Sequence, residues 1–317
     1  MSSQFDFRMN RIKRLVNLGR EFDDGKFCRN YGAHTLIKLI FLSSYAYQFS
    51  TIAKGPKATS SGYDAAVYVD LFSGPGIIGV DGRPDKVAGS PIAVTHGSKF
   101  DFSVFVDNSS RSTGLLASRL SKFLPPEKFT VLTGDCNEVV HRVVDEISSR
   151  YKKPIVLAFV DPEGMEAHFE TMNVLNTRFP HTDFIINMTA YADRVLQTLN
   201  GGQGASYETF VKFFGWEGAS RLVHIGTGEL SEDVYIRQIA DVLDKPVGIM
   251  LPVSEVGNRT IYNILAFTRQ AGDDRWAKIM RHIGRQLAGL DGEGVLELLD
   301  VVMKRRGTLD SAFESKS

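Results

Sequence analysis

Short runs dense in Val, Ile, Phe and Leu alternate through the middle of the chain with segments whose apolar residues recur every three to four positions. The runs "AAVYVDLF", "FSVFVD", "FTVLTGD", "PIVLAFVD" and "DFIINMT" are apolar at successive positions, as strands covered on both faces of a sheet must be. Between them the spacing predicts helices at about 90–97, 111–123, 137–150 and 168–178. Such alternation, joined by right-handed crossovers, predicts a doubly wound parallel sheet. Further on, 206–215 and 231–243 have helical spacing, and "VGIMLPVSEVGNRTIYNILAFT" reads as two strands joined by a turn at Gly257-Asn258. The expectation is an α/β fold with five parallel strands plus an antiparallel C-terminal hairpin.

Upstream, residues 33–53 show helix-like spacing through Leu36, Ile37, Leu39, Ile40, Leu42, Tyr45, Tyr47 and Phe49, followed by the linker-like "KGPKATSSG". Residues 1–62 are therefore read as an N-terminal helical extension and linker, 63–288 as a Rossmann-like domain, and 289–317 as a C-terminal helix and disordered tail. No run reaches the roughly 18 apolar residues of a membrane span. The nearest, "LIKLIFLSSYAYQF", is interrupted by Lys38. The start "MSSQFDFRMNRIKR" has no apolar signal core, so a cytoplasmic location is expected.

Lys and Arg together number 37, as do Asp and Glu, and this zero net charge gives no global attraction to nucleic acid. Local imbalances change that picture. Residues 1–60 hold ten basic side chains (Arg8, Arg11, Lys13, Arg14, Arg20, Lys26, Arg29, Lys38, Lys54, Lys57) against four acids. The segment "DDRWAKIMRHIGRQ" puts Arg275, Lys278, His282 and Arg285 on one side of a helix. Both are candidate phosphate contacts, although a solvated surface is the commoner meaning of such runs. Cys28 and Cys136 lie far apart without CxxC spacing, and the histidines form no metal-spaced pair, so neither a disulfide framework nor a metal site is expected.

Candidate chemistry concentrates at the ends of the strands. Gly74-Pro75-Gly76-Ile77-Ile78-Gly79 is literally G-x-G-x-x-G, the dinucleotide fingerprint. A dinucleotide needs a helix starting inside that turn to neutralise its pyrophosphate. Here "VDGRPDKVAGSP" intervenes, reading as a ten-residue loop, and Ser90-Pro91 supplies the first N-cap and first-turn pair. A nicotinamide oxidoreductase is thus the minor alternative. S-adenosylmethionine carries no phosphate and asks instead for close backbone approach beside a carboxylate. Asp70, Gly74 and Gly76 supply those parts. Asp107 in "VFVDNS" is placed to bind ribose hydroxyls, and Asp135 in "TGDCNE" to accept from an adenine amine, unless it is only the N-cap of the helix after it. Phe72, Asn108 and Cys136, their neighbours, complete the expected cofactor set. Asp161-Pro162 in "FVDPEG" falls where a methyl acceptor would sit, so Asp161, Pro162 and Glu163 are the expected catalytic group.

Together "YVDLFSGPG", "GSPIAV", "FVDNS", "GDCNEVV", "FVDPEG" and "IYNILAFTRQAG" resemble the three-Cys-motif partner family, usually written TcmP, over roughly residues 33–285. The resemblance implies a bacterial protein with a class I methyltransferase-like sheet, S-adenosylmethionine as cofactor, and a partner protein encoded nearby that carries the three-cysteine motif. The family usually has "DPFG" where this chain has Asp161-Pro162-Glu163-Gly164, so a carboxylate replaces an aromatic.

Methylation at cytosine C5 needs a cysteine nucleophile, and neither cysteine is suitably placed. Transfer to an exocyclic amine needs a polar group and carbonyls at the fourth strand, which Asp161-Pro162 offers, with Phe169 or Tyr191 as the stacking aromatic. Glu163, and less so His168, is a candidate general base. The reading is an S-adenosylmethionine-dependent methyltransferase acting on nucleic acid, at an adenine amine first of all. The alternative is a non-catalytic S-adenosylmethionine-binding sensor or scaffold for the three-cysteine partner.

Overall fold

The five apolar runs do form strands, and the crossovers between them set their order. In the computed structural model, which describes residues 2–189, 205–225, 231–255, 260–269 and 275–304, the strands in chain order are β1 (Arg29–Tyr31), β2 (Ala65–Asp70), β3 (Ile77–Val80), β4 (Lys86–Ala88), β5 (Phe102–Asp107), β6 (Phe129–Thr133), β7 (Pro154–Val160), β8 (Thr182–Thr189), β9 (Val247–Ser254) and β10 (Thr260–Thr268). The helices are α1 (Ser2–Phe22), α2 (Thr35–Ala53), α3 (Pro56–Ser60), α4 (Ser90–Thr95), α5 (Ser110–Leu120) and α6 (Cys136–Ser148). After them come α7 (Phe169–Arg178), α8 (Ala205–Ile225), α9 (Ser231–Val242), α10 (Arg275–Leu287) and α11 (Gly292–Val302).

The main sheet has seven strands in the order β6-β5-β2-β7-β8-β10-β9. Six strands run in one direction and β10 runs against them, with Tyr262 opposite Thr189 and Phe267 opposite Phe184. The last strand thus inserts beside the fifth of the parallel set, as expected of a class I methyltransferase-like sheet. The proposed turn at Gly257-Asn258 lies outside the described residues, as does the tail beyond Lys304. Strand order reverses between β2 and β7, and ligands of open α/β sheets bind outside the carboxyl ends at such a switch point.

The stretch after the glycine turn is not a loop. β3 and β4 form an antiparallel hairpin, and β1 adds to β3 in parallel, giving a second, three-stranded sheet. The Asp, Gly and Pro residues of "VDGRPDKVAG" that signalled a loop make the turn of this hairpin. α4 starts at Ser90, but its N-cap is Gly89, whose N–H donates to Gly76 O at 2.8 Å.

The residues before β2 share the apolar layer of the sheet. α2 is apolar on nearly every side, and such a helix has to be buried on all of them. It crosses one face of the sheet over β2 and β7, between α4 and α10. Ile40, Phe41, Leu42, Tyr45, Ala46 and Phe49 have no exposed surface and join one core cluster with Tyr68, Phe105, Phe159 and Ile264. α1 lays Ile12, Leu15, Val16 and Phe22 on the same cluster. Several N-terminal basic side chains serve this packing. Arg8 donates to the carbonyls of Gln286 and Ala288 at 2.8 Å, and Arg14 to Ala93 O and His96 O, so both bind carbonyls around helix C-termini where a cation is favoured. Among the described residues no helix is long and apolar enough to cross a membrane.

If α2 is a core element, Phe41→Ala should cost about 3–5 kcal/mol of folding free energy. Urea unfolding would show this as a lower midpoint with the slope preserved. A loss below about 1 kcal/mol would place α2 outside the cooperative unit.

Candidate active site

The carboxyl ends of β2, β5, β6, β7 and β8 meet in a cavity of about 650 Å³ beside the switch point. Its floor is the glycine turn (Leu71, Phe72, Gly74), and its sides are Asp107-Asn108, Gly134-Asp135-Cys136, Asp161-Pro162-Glu163, Asn187 and Thr189. The remaining wall comes from Arg29, Asn30 and Tyr31 of β1, His34, Thr35 and Lys38 at the start of α2, and Ile261 and Tyr262 of β10. Nine of the eleven residues expected at the site therefore line one cavity: Phe72, Gly74, Asp107, Asn108, Asp135, Cys136, Asp161, Pro162 and Glu163.

Asp70 and Gly76 lie behind the lining. Asp70 is fully buried and accepts from Tyr68 Oη at 3.0 Å and Phe72 N at 3.3 Å. Burial pushes its carboxyl up to about 7, against the opposing hydrogen bonds from Ser90, Tyr68 and Phe72. Asp70 thus braces the turn from below. Gly76 has φ of +82°, and a Cβ there would meet Leu116 Cδ1 at 2.8 Å, within the core. Gly74, with φ of +59°, has nothing within 4 Å of such a Cβ, so the open backbone face is at Gly74. Its N–H donates to Asp107 Oδ2 at 2.9 Å, while Asp107 Oδ1 accepts from Ser109 N at 2.9 Å. Both carboxylate oxygens of Asp107 retain acceptor capacity for a pair of hydroxyls.

Asp135 is the N-cap of α6, accepting from Asn137 N at 2.8 Å, and also lines the cavity. The neighbouring Cys136 thiol is pushed up to about 12 by burial and the adjacent Asp135, so it stays protonated at neutral pH and is no nucleophile. At the end of β7, Asp161 Oδ1 accepts from Lys38 Nζ at 2.6 Å and Asn187 Nδ2 at 2.8 Å. Lys38 Nζ also lies 5.3 Å from the centre of the Tyr262 ring, whose hydroxyl donates to His34 O at 2.9 Å. Glu163 is largely exposed and pairs with Arg29 at 3.3 Å across the mouth. His168 stands outside the lining at the start of α7, and Phe169 is core, packed against Gly215. The lining aromatics are Tyr31, Phe72 and Tyr262 instead, and Tyr191 lies outside the described residues. Among the described residues no three His, Cys, Asp or Glu side chains are grouped to hold a metal.

No family model and no curated protein matches the chain. Among solved structures, it is similar to a Legionella pneumophila protein described by the family model DUF519, with 12% identity over 78% of this chain and 91% of that one and a TM-score of 0.44. Trm1 from Pyrococcus horikoshii, solved with S-adenosyl-L-methionine, is 10% identical over 80% of this chain and 58% of that one, with a TM-score of 0.40. An rRNA methylase from Streptococcus thermophilus is 13% identical over 74% and 96%, with a TM-score of 0.36. Likenesses this distant carry no argument about the site, and the sheet is assigned on its own strand order.

Sequence reasoning missed Lys38, Asn187, Tyr262 and the Arg29–Tyr31 wall. Lys38 did leave a signal, as the one charged residue in an otherwise uncharged helix. Carboxylates dominate the cavity, with Asp107, Asp135, Asp161, Glu163 and Glu166 against Arg29 and Lys38. His34 adds no charge at neutral pH, since burial and the nearby Lys38 lower its pKa.

Two expectations follow. Val at either glycine meets left-handed backbone and should cost about 1–2 kcal/mol in strain; Gly76→Val should add about 1–3 kcal/mol of overpacking, whereas Gly74→Val should show the strain alone and abolish S-adenosylhomocysteine binding in calorimetry. Reversal of the two effects would exchange their roles. Asp70 binds its proton more tightly folded than unfolded, where its pKa is about 3.9. Its contribution to stability is therefore full below about pH 4, declines as pH rises toward 7, and is lost above it. Asp70→Asn should gain stability relative to wild type between pH 4 and 7.5 in urea midpoints. Parallel curves would clear Asp70 of that titration.

Proposed function

We propose that the chain is an S-adenosylmethionine-dependent methyltransferase whose acceptor is an exocyclic amine in nucleic acid, adenine first among them. The observation that carries this reading is the convergence of Gly74, Asp107, Asp135 and Asp161, from four consecutive parallel strand ends, on one carboxylate-rich cavity. That cavity suits a sulfonium and an ammonium. It does not suit the pyrophosphate of a dinucleotide, because the glycine turn leads into β3 and offers no helix N-terminus. In this reading Asp107 holds the ribose hydroxyls, Gly74 gives the backbone face to the amino-acid moiety, and Asp135 and Cys136 border the adenine. The cofactor supplies an activated methyl carbon on sulfur.

The chain's own work is orientation. Asp161 Oδ1 is already engaged twice, which leaves Oδ2 to accept an N–H of the acceptor and to receive the proton the nitrogen sheds. Backbone carbonyls of the Asp161-Pro162 turn accept the second hydrogen. Tyr262 and Tyr31 supply aromatic surface for a base, the role the aromatic of "DPFG" would have filled. On the resemblance to TcmP, a three-cysteine protein is the working partner.

The test is calorimetric titration with S-adenosylmethionine and NADH, followed by transfer of labelled methyl to bacterial RNA, DNA and protein, with and without the three-cysteine protein. Tight binding of S-adenosylmethionine, none of NADH, and label in nucleic acid are expected. Binding with no label in any fraction would favour the sensor or scaffold reading. Asp107→Asn should weaken S-adenosylmethionine by about 1.5–3 kcal/mol, the worth of hydrogen bonds to a charged group. Unchanged affinity would remove Asp107 from the cofactor site.

A further inference from the structure

We propose that Lys38 is a positioning residue for methyl transfer, acting through Asp161; this rests on the reading of Asp161 as the carboxylate that holds the acceptor amine. Lys38 is the only charged residue of α2, and its side chain is 9% exposed. A buried ammonium persists only where it is paired, and its partner here is the carboxylate at the candidate reaction centre, 2.6 Å away.

The pairing fixes more than charge. Asn187 Nδ2 donates to the same oxygen at 2.8 Å, so two donors on Oδ1 set the carboxylate's rotation and reserve Oδ2 for a third group. Asn187 is buried, and its own Oδ1 has no hydrogen-bond partner among the described residues. Turning the amide over would satisfy nothing, because its oxygen would then face the carboxylate. An acceptor left unsatisfied in the interior is unfavourable, so the donor bond to Asp161 is what holds this amide in place. Tyr262 completes the arrangement by placing its ring beside the ammonium and its hydroxyl on His34 O, which ties the start of α2 to β10. The carboxylate is therefore clamped by α2, β8 and β10 together. A displacement of about 1 Å in an acceptor-holding group costs on the order of 100-fold in rate, which is the scale on which the clamp matters.

Lys38→Met keeps the volume of the side chain and removes the ammonium. With labelled S-adenosylmethionine and bacterial total RNA and DNA as acceptors, kcat should fall on the order of 100-fold, while the KM for S-adenosylmethionine stays within a few-fold. The double variant with Asp161→Asn should be no slower than Asp161→Asn alone, as for residues acting as a unit. Lys38→Gln serves as the second neutral variant should Lys38→Met fold poorly. A readout independent of activity is reductive alkylation of lysines mapped by mass spectrometry. Lys38 should be protected in the wild type and labelled in Asp161→Asn. The proposal is overturned by wild-type kcat in either neutral variant, by losses that multiply in the double variant, or by equal labelling of Lys38 in the two proteins. A wild type that binds S-adenosylmethionine but methylates nothing, with Lys38 protected, overturns the transferase reading and with it the transfer role. An active wild type beside an equally active Lys38→Met overturns the role alone.

Discussion

A single charged side chain in a helix with no other charge is the constraint on which the site depends. Apolar packing is non-directional and would let α2 slide along the sheet. Polar contacts at both ends prevent this. Lys38, near its start, reaches Asp161 beyond the carboxyl end of β7. Tyr45, in its middle, donates to Asp183 at the start of β8, where burial pushes the carboxyl up to about 6. Ser50 and Lys54, near its end, meet Lys99 N and Asp101 ahead of β5. At about 1.5 Å per residue, the span from Lys38 to Lys54 matches the height of the strands it crosses. The register that keeps Lys38 on the rim is thus fixed at the opposite edge of the sheet.

A second tie holds the wall that faces α2. Arg119 of α5 is fully buried, donating to Pro75 O at 2.7 Å, Asp24 Oδ1 at 2.6 Å and Phe27 O at 3.1 Å. It joins the glycine turn to the segment that enters β1 and so delivers Arg29 and Tyr31 to the cavity. Breaking such a buried pair from one side costs about 3–5 kcal/mol, because the remaining charge has no water to return to. Apart from Ile261 and Tyr262 of β10, the wall that the strand ends do not provide comes from residues ahead of β2. The N-terminal segment is part of the site's construction.

The strands, their order and most of the cavity could be read from sequence because each rests on a local signal. β-branched runs mark covered strands, and an acid or glycine just past such a run must lie at the carboxyl edge. The missed features lack that locality. β1 is three residues long, with no alternation to see, and its partner strand was hidden among turn-forming residues. Asn187 sits inside a strand-like run, where nothing in the sequence tells an edge amide from an interior one. Gly76 and Asp70 belong to the expected motif, yet face the core; sequence order places a residue in a turn without saying which side of the turn it occupies. The basic N-terminal residues looked like a surface patch, but Arg8, Arg14, Lys38 and Lys54 are engaged with carbonyls and carboxylates of their own fold.

That internal use of charge bears on how a polyanion would approach. The cavity presents five carboxylates against two cations, so phosphates are repelled from the place where, under the proposed reading, a cationic cofactor is drawn in. One exposed basic surface lies elsewhere, on α10, where Arg281, His282 and Arg285 face solvent beside Arg275 and Lys278, which have partners of their own. Where α10 ends, the chain turns toward α2: Gly292, at the start of α11, lies beside His34 of the cavity wall. Under the proposed reading, the backbone of a nucleic acid therefore stays on the outer surface, and only an unpaired base, itself uncharged, enters. An enzyme so charged acts on a single strand or turns its target base out of the stack.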